Sequence, residues 1–247
     1  MIEEPYRWLE AIAHRREYVR DQIRTATPVL AMSLPEGVLM VAAGTGQSKV
    51  FEIFDRHIGG AFGHPADVER LRQAAIDAAH VEGFTRAAED VTLRRLVGFG
   101  LGPLVKSQFE HVYGAPILAE WLFAEAGTSP AEDVLMRLHF HGAFRMCDGG
   151  VGVAAPDPDK ERLAEQWIRE EAPGRRGLEA ASRLLLQAWW LLEAGKPLGT
   201  GRPDEGAREE GWRQATRDKV LELALLERAS TRRSKVRWLT PGEAGLA

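Results

Sequence analysis

Several groups of residues in this chain carry side chains capable of chemistry. The bend Gly44-Thr45-Gly46-Gln47-Ser48-Lys49 has the glycines and lysine of a phosphate-binding loop. It lacks the G-x-x-x-x-G-K-[ST] spacing, and an alternating strand pattern follows it rather than a helix. Lys49 taken alone reads as a solvated or locally paired lysine on a strand. His139 and His141 alternate on one strand with Cys147 nearby. Zinc would need a third and fourth ligand in suitable geometry, so two structural histidines are expected, with no metal and no cofactor. Asp157 and Asp159 precede a helical run and suit an N-terminal cap. The arginine-rich run Arg228 to Arg237 reads as the solvated face of a hairpin.

The rest of the composition narrows the function classes. The net charge is −4 and neither half of the chain is strongly basic, so nucleic-acid binding has no electrostatic support. The seven tryptophans are scattered rather than clustered with lysines. One cysteine excludes an internal disulfide framework and fits a reducing compartment. No apolar run reaches the roughly 18 residues of a membrane span. The charged N-terminus MIEEPYRWLEAIAHRREYVRD lacks the apolar stretch of a signal peptide. A cytoplasmic location is the expectation, with no membrane partner.

These residues hang on a core stretch, Leu30 to Gly63. Val29–Met32 and Val38–Ala43 read as two strands joined by Ser33-Leu34-Pro35-Glu36-Gly37, a hairpin signal. The second is a continuous apolar run, as in a strand buried on both faces. Val50–Phe54 and His57–Phe62 form the next pair, turning at Asp55-Arg56. Before this core, helical spacing from Pro5 to Arg24 puts Leu9, Ile12, Tyr18, Val19 and Ile23 on one broad face. Pro28 ends that run by disfavouring helical geometry at Thr27. After the core, helices are predicted from Pro65 to about Glu82 and from Glu89 to about Val112. The second contains Gly98, Gly100, Gly102 and Pro103, read as a kink or a site of close packing. A meander follows over Pro116–Glu125, Asp133–Phe140 and Ala143–Cys147, turning again at Asp148-Gly149-Gly150. Two more helices end at Ala172 and Ala194. Lys196–Asp218, rich in Gly, Pro and charge, reads as a surface loop, and Lys219–Arg228 with Lys235–Leu239 as a closing hairpin. Strand runs alternating with helix pairs suggest two stacked antiparallel sheets covered by helices on each outer face.

The chain resembles the proteasome core-particle subunits, specifically the alpha type. Glu17-Tyr18-Val19-Arg20-Asp21 is similar to the E-Y-A-R-E segment of that family's N-terminal helix, and Gly37-Val38-Leu39-Met40-Val41-Ala42 to its G-V-L strand. Ser48 to Ile53 with Asp55-Arg56-His57-Ile58-Gly59 resembles the strand entered by the family's lysine. Gly63-His64-Pro65-Ala66-Asp67 resembles its G-x-x-A-D helix start, and Tyr113-Gly114-Ala115-Pro116 a scrambled R-P-Y-G turn. The Asp-Arg pair after the lysine strand and the run Leu223–Arg228 look closest to the actinobacterial kind. The archaeal-type Tyr-Asp-Arg gate triplet is replaced by Pro5-Tyr6-Arg7.

The resemblance implies an α+β fold, a four-layer αββα sandwich of the Ntn-hydrolase class with an N-terminal helix. With no internal repeat or linker in the sequence, one domain is expected over 1–247: a gate and contact helix at 1–28 by the resemblance, the sandwich at 29–240, and a short tail at 241–247 that reads as mobile. The resemblance also implies a seven-membered alpha ring stacked on catalytic beta subunits, docking ATPase or other ring activators and admitting unfolded protein substrates. Pro5, Tyr6, Tyr18 and Arg20 are then expected at the gate and ring contacts. In the catalytic relatives a processed N-terminal threonine is the nucleophile, helped by a lysine and an aspartate. Lining up the strands puts Thr27 near the threonine column, Lys49 in the lysine column and Ala43 in the aspartate column. No Gly-Thr processing site precedes Thr27, so a structural threonine is expected. The lysine matching Lys49 in alpha subunits receives the C-terminal carboxylate of an activator tail, and that role is expected here. Two competitors stay open: a self-standing hydrolase with Thr27 as nucleophile after autocleavage, and a structural ring protein without a protease partner.

Overall fold

The computed structural model describes residues 5–175 and 177–246, with side chains from Arg7 onward. Helix α1 (Pro5–Ile23) leads through a short linker into β1 (Val29–Leu34), β2 (Gly37–Gly44), β3 (Val50–Phe54) and β4 (His57–Gly63). Next come α2 (Pro65–Thr85), α3 (Leu93–Arg95), a π-helical segment (Leu96–Leu101) and α4 (Gly102–Glu110). Strands β5 (Ala119–Glu125), β6 (Val134–Leu138), β7 (Phe144–Met146) and β8 (Val151–Ala154) precede α5 (Pro158–Glu171), α6 (Leu178–Glu193) and α7 (Glu205–Ala215). Strands β9 (Val220–Glu227) and β10 (Val236–Trp238) follow.

Two five-stranded sheets, ordered β10-β9-β2-β1-β8 and β3-β4-β5-β6-β7, stack face to face. All their pairings are antiparallel. Every residue of β2 is buried. Leu39, Val41 and Ala43 pack with Leu185 and Trp189 of α6, while Val38, Met40 and Ala42 fill the space between the sheets. That double burial explains why β2 reads as an unbroken apolar run although its sheet is antiparallel. Helices α5, α6 and α7 cover the first sheet and α2, α3 and α4 the second, giving the four-layer αββα sandwich.

Four expectations are corrected. The meander ends at β7, because β8 crosses to the other sheet and pairs with β1. Lys196–Asp218 is not all loop. It contains α7, which buries Trp212 and Arg208 and brings Gly211 so close to Trp190 that a Cβ would lie 2.3 Å from its ring. The helix predicted over Glu89–Val112 is broken into α3, the π segment and α4. Pro103 lacks the N–H that a regular helix would use there, and π turns accommodate such an interruption. The tail expected to be mobile folds back, burying Ala244 and Leu246, and Arg183 donates to Gly245 O at 2.8 Å.

A buried ionic cluster ties the second sheet to α5. Arg137 on β6 is fully buried and donates to Glu120 and, at 3.1 Å, to Glu161. Arg145 on β7 donates to Glu161 at 2.8 Å and to Glu165 at 2.7 Å. Burial pushes the Glu120 carboxyl up, but Arg137, with help from His139, overcomes this and holds it at about 2. Its stabilising contribution is therefore present above the ordinary carboxylate range and is lost as pH falls towards 2. Arg137→Ala leaves Glu120 buried without its arginine and Glu161 with Arg145 as its remaining ionic partner, and should cost about 3–5 kcal/mol in urea unfolding. Unchanged stability would contradict a structural role for this cluster.

Candidate functional site

The linker Thr25–Pro28 crosses one end of the sandwich and brings Thr27 against the last residues of β2. The Thr27 hydroxyl donates to Ala43 O at 2.6 Å. Lys49, just before β3, reaches back under the same linker, and its ammonium donates to Thr27 O at 2.7 Å and to Thr27 Oγ1 at 2.8 Å. Gly44 gives the lysine stem room, since a Cβ there would lie 3.1 Å from Lys49 Cδ. Thr27, Ala43 and Lys49, matched by strand position in the sequence, are thus brought together.

These contacts decide what the group can do. A threonine nucleophile needs a base that accepts its proton. Here the hydroxyl proton goes to a backbone carbonyl, and the neighbouring ammonium is a donor. The Thr27 nitrogen lies within the peptide chain after Ala26, and Ala43 offers no side-chain carboxylate. Burial pushes the Lys49 ammonium down to about 8, with Glu222 opposing the fall. At neutral pH it therefore remains mainly charged. It has three N–H groups, of which the contacts to Thr27 use two, so among the described residues one remains for a further acceptor.

Glu222 on β9 was not singled out from sequence. Its oxygens accept the backbone N–H of Lys49 at 2.7 Å and of Val50 at 3.1 Å. Burial raises the Glu222 carboxyl, and those two N–H groups and Lys49 oppose the rise. The available signal was an acid in inward-facing register with Ala224 and Leu226 on a strand whose other residues are apolar up to the terminal Glu227. Lys49 lines a cleft of about 260 Å³ together with Ala26, Thr27, Phe62, Pro65 and Lys219. The Lys219 charge is already engaged by Glu193 at 3.2 Å and by Ala215 O at 2.9 Å. An adjoining hollow of about 540 Å³ runs past Gln47, Ser48, Phe51 and His64.

On α1, Val19 and Ile23 are buried, while Leu9 and Tyr18 of the predicted apolar face are exposed at 65% and 50%. Arg20 is exposed as well. The side chains of Pro5 and Tyr6 lie outside the described residues. The helix is anchored instead by Arg15, which donates to Gln108 O at 2.9 Å and Gly114 O at 2.8 Å around the end of α4. A basic side chain satisfying carbonyls at a helix C-terminus is a recurrent cap.

The weaker candidates resolve simply. The bend 44–48 leads into β3 rather than into a helix of its own. His139 lies 3.6 Å from Glu120, and among the described residues no group of three or more His, Cys, Asp or Glu is arranged to hold a metal. Asp157 caps α5, accepting from the N–H of Asp159 and Lys160, whereas Asp159 pairs with Arg162. Arg228 is not a solvated hairpin residue. It grips Asp133 through two hydrogen bonds of 2.7 and 2.9 Å, at the opposite end of β9 from Glu222.

A four-layer sandwich with a threonine–lysine pair at one open end defines a protein of the Ntn-hydrolase fold class. No protein-family model matches the chain. It is 29% identical over 239 residues to a proteasome subunit alpha of Frankia casuarinae, covering 96% of this chain and 92% of that relative. It is 30% identical over 237 residues to a proteasome subunit alpha of Actinosynnema mirum, covering 91% and 80%. A proteasome subunit alpha of Kineococcus radiotolerans is 28% identical over 240 residues, covering 94% and 92%. The chain belongs to the proteasome alpha-subunit family. Competitive labelling with acetic anhydride across pH, read residue by residue by mass spectrometry, should give Lys49 a midpoint near 8. Exposed lysines should titrate at about 10.4. A Lys49 midpoint matching theirs would contradict its burial.

Proposed function

We propose that this chain is a non-catalytic alpha-ring subunit of a proteasome core particle. In this reading it forms an outer ring with other alpha subunits and stacks on catalytic beta subunits in the cytoplasm. It restricts access of unfolded proteins to the chamber and docks ring activators, ATPases among them, through a C-terminal carboxylate held by Lys49. The family relationship supports the ring role. The observation that carries the non-catalytic assignment is the hydrogen bond from the Thr27 hydroxyl to Ala43 O, with an ammonium rather than a base on its other side.

Lys49 suits tail docking because a partly buried ammonium with an unused N–H lines an open cleft, the kind of group that captures a terminal carboxylate. Exposed Trp8, Leu9, Tyr18 and Arg20 on α1 supply a surface for neighbouring subunits, and Pro5 and Tyr6 belong to the gate in the same reading. The 2.8 Å approach of Lys49 to Thr27 Oγ1 is the one observation favouring the alternative, a self-standing hydrolase with Thr27 as nucleophile. That alternative requires cleavage of the Ala26–Thr27 bond and a neutral Lys49.

A charge-assisted hydrogen bond contributes about 1.5–3 kcal/mol. Lys49→Ala should therefore reduce activator-stimulated protein degradation by at least about tenfold, with small-peptide cleavage by the assembled particle as the reference. Stimulation equal to that of the unaltered chain would sink the docking role.

A further inference from the structure

Glu222 occupies a position where a carboxylate needs a reason. It follows Leu221 on β9, pairs in register with Ala42 of β2, and shares its inward-facing side with Ala224 and Leu226. The residue is only 8% exposed. A buried carboxylate is costly unless its oxygens are satisfied. Glu222 finds its partners on the opposite sheet. Both of its oxygens accept backbone N–H groups at the start of β3, from Lys49 and Val50.

Strand β3 is an edge strand, so one side of it has no neighbouring strand to bond. Its first residue also follows the glycine-containing bend 44–48, which by itself does little to fix the chain. Glu222 supplies the missing restraint from β9, 172 residues away from Val50 in the sequence. The described polar contacts of the Lys49 ammonium are with Thr27 rather than with Glu222. The lysine is therefore held at two points, its backbone by Glu222 and its tip by Thr27.

We propose that Glu222 is a positioning residue for the carboxylate-docking cleft, clamping the backbone of Lys49 and Val50 so that the Lys49 ammonium stands where a chain-terminal carboxylate can reach it. This inference rests on the docking role proposed above for Lys49. Glutamine at this position tests it sharply. A carboxamide has the same shape, but each Glu222 oxygen accepts a different N–H, so its NH₂ stands where one of those two acceptors was and confronts an N–H. Aspartate keeps the charge but falls short by one methylene.

The experiment uses the full chain and a fluorescein-labelled alanine pentapeptide, with either a free C-terminal carboxylate or a C-terminal amide. Binding is followed by anisotropy in the wild type, Lys49→Ala, Glu222→Gln and Glu222→Asp. The wild type should prefer the carboxylate form, and Lys49→Ala should abolish the preference. Glu222→Gln should cut it at least about fivefold, equivalent to about 1 kcal/mol, and Glu222→Asp should also cut it. Acetic anhydride labelling of the Glu222→Asp chain, which keeps the charge that raises Lys49, should show the Lys49 midpoint displaced from its wild-type value because the backbone clamp is lost.

Loss of preference in Lys49→Ala with full preference in Glu222→Gln, or an unmoved Lys49 midpoint in Glu222→Asp, overturns the positioning role and leaves the docking role standing. No carboxylate preference in the wild type, or none lost in Lys49→Ala, overturns the docking role and this inference with it. Should Glu222→Gln fail to fold, Glu222→Asp decides by the same criteria.

Discussion

Gly60 on β4 faces Val29 and Met40 across the gap between the sheets, and a Cβ there would lie 2.4 Å from Val29 Cγ1. The residue before it, Gly59, meets Trp121 and Phe123 on the other side, where those rings stack 5.0 Å apart. Two adjacent glycines thus let β4 sit tightly between the neighbouring sheet and its own helical cover. That spacing brings the start of β3 within reach of a β9 side chain, so Glu222 can bond across the sheets. It also lets the linker before β1 lie over the Lys49 side chain. A wider gap would leave the lysine and the carboxylate each without their partners.

The chemistry at this end of the sandwich turns on direction of hydrogen bonding rather than on proximity. Threonine and lysine stand within 2.8 Å, as a nucleophile and its helper would. The ammonium donates to the hydroxyl, and the hydroxyl donates to Ala43 O, so no group among these contacts withdraws a proton from Thr27. The same ammonium is partly buried, lines a cleft and, among the described residues, spends two of its three N–H groups on Thr27. These properties suit electrostatic capture of an anion better than acyl transfer.

Much of the sandwich was legible because its strands carry local signals. The Pro35-Glu36-Gly37 turn and the alternating run from Val50 to Phe62 give β1 to β4 within a residue or two. The crossover of β8 was not legible, since a four-residue strand after a glycine turn looks the same whether it continues a meander or joins another sheet. Helix α7 was hidden because its packing is unlike that of an apolar helix. Arg208 lies over the Trp167 ring at 5.3 Å, and Gly211 is chosen for closeness to Trp190. At the site, Thr27 and Lys49 could be matched by strand position, but Glu222 could not, because its partners are backbone N–H groups that leave no mark in the sequence. Likewise Arg15, rather than Tyr18, anchors α1, since its acceptors are main-chain carbonyls.

A structural Thr27 requires that the Ala26–Thr27 peptide bond persists, so that Thr27 never gains a free amine. Intact-mass measurement of this subunit, recovered from particles assembled with a threonine-protease partner, tests it most directly. The recovered chain should retain the residues preceding Thr27. A mass corresponding to a chain that begins at Thr27 would contradict it and make the subunit a protease in its own right.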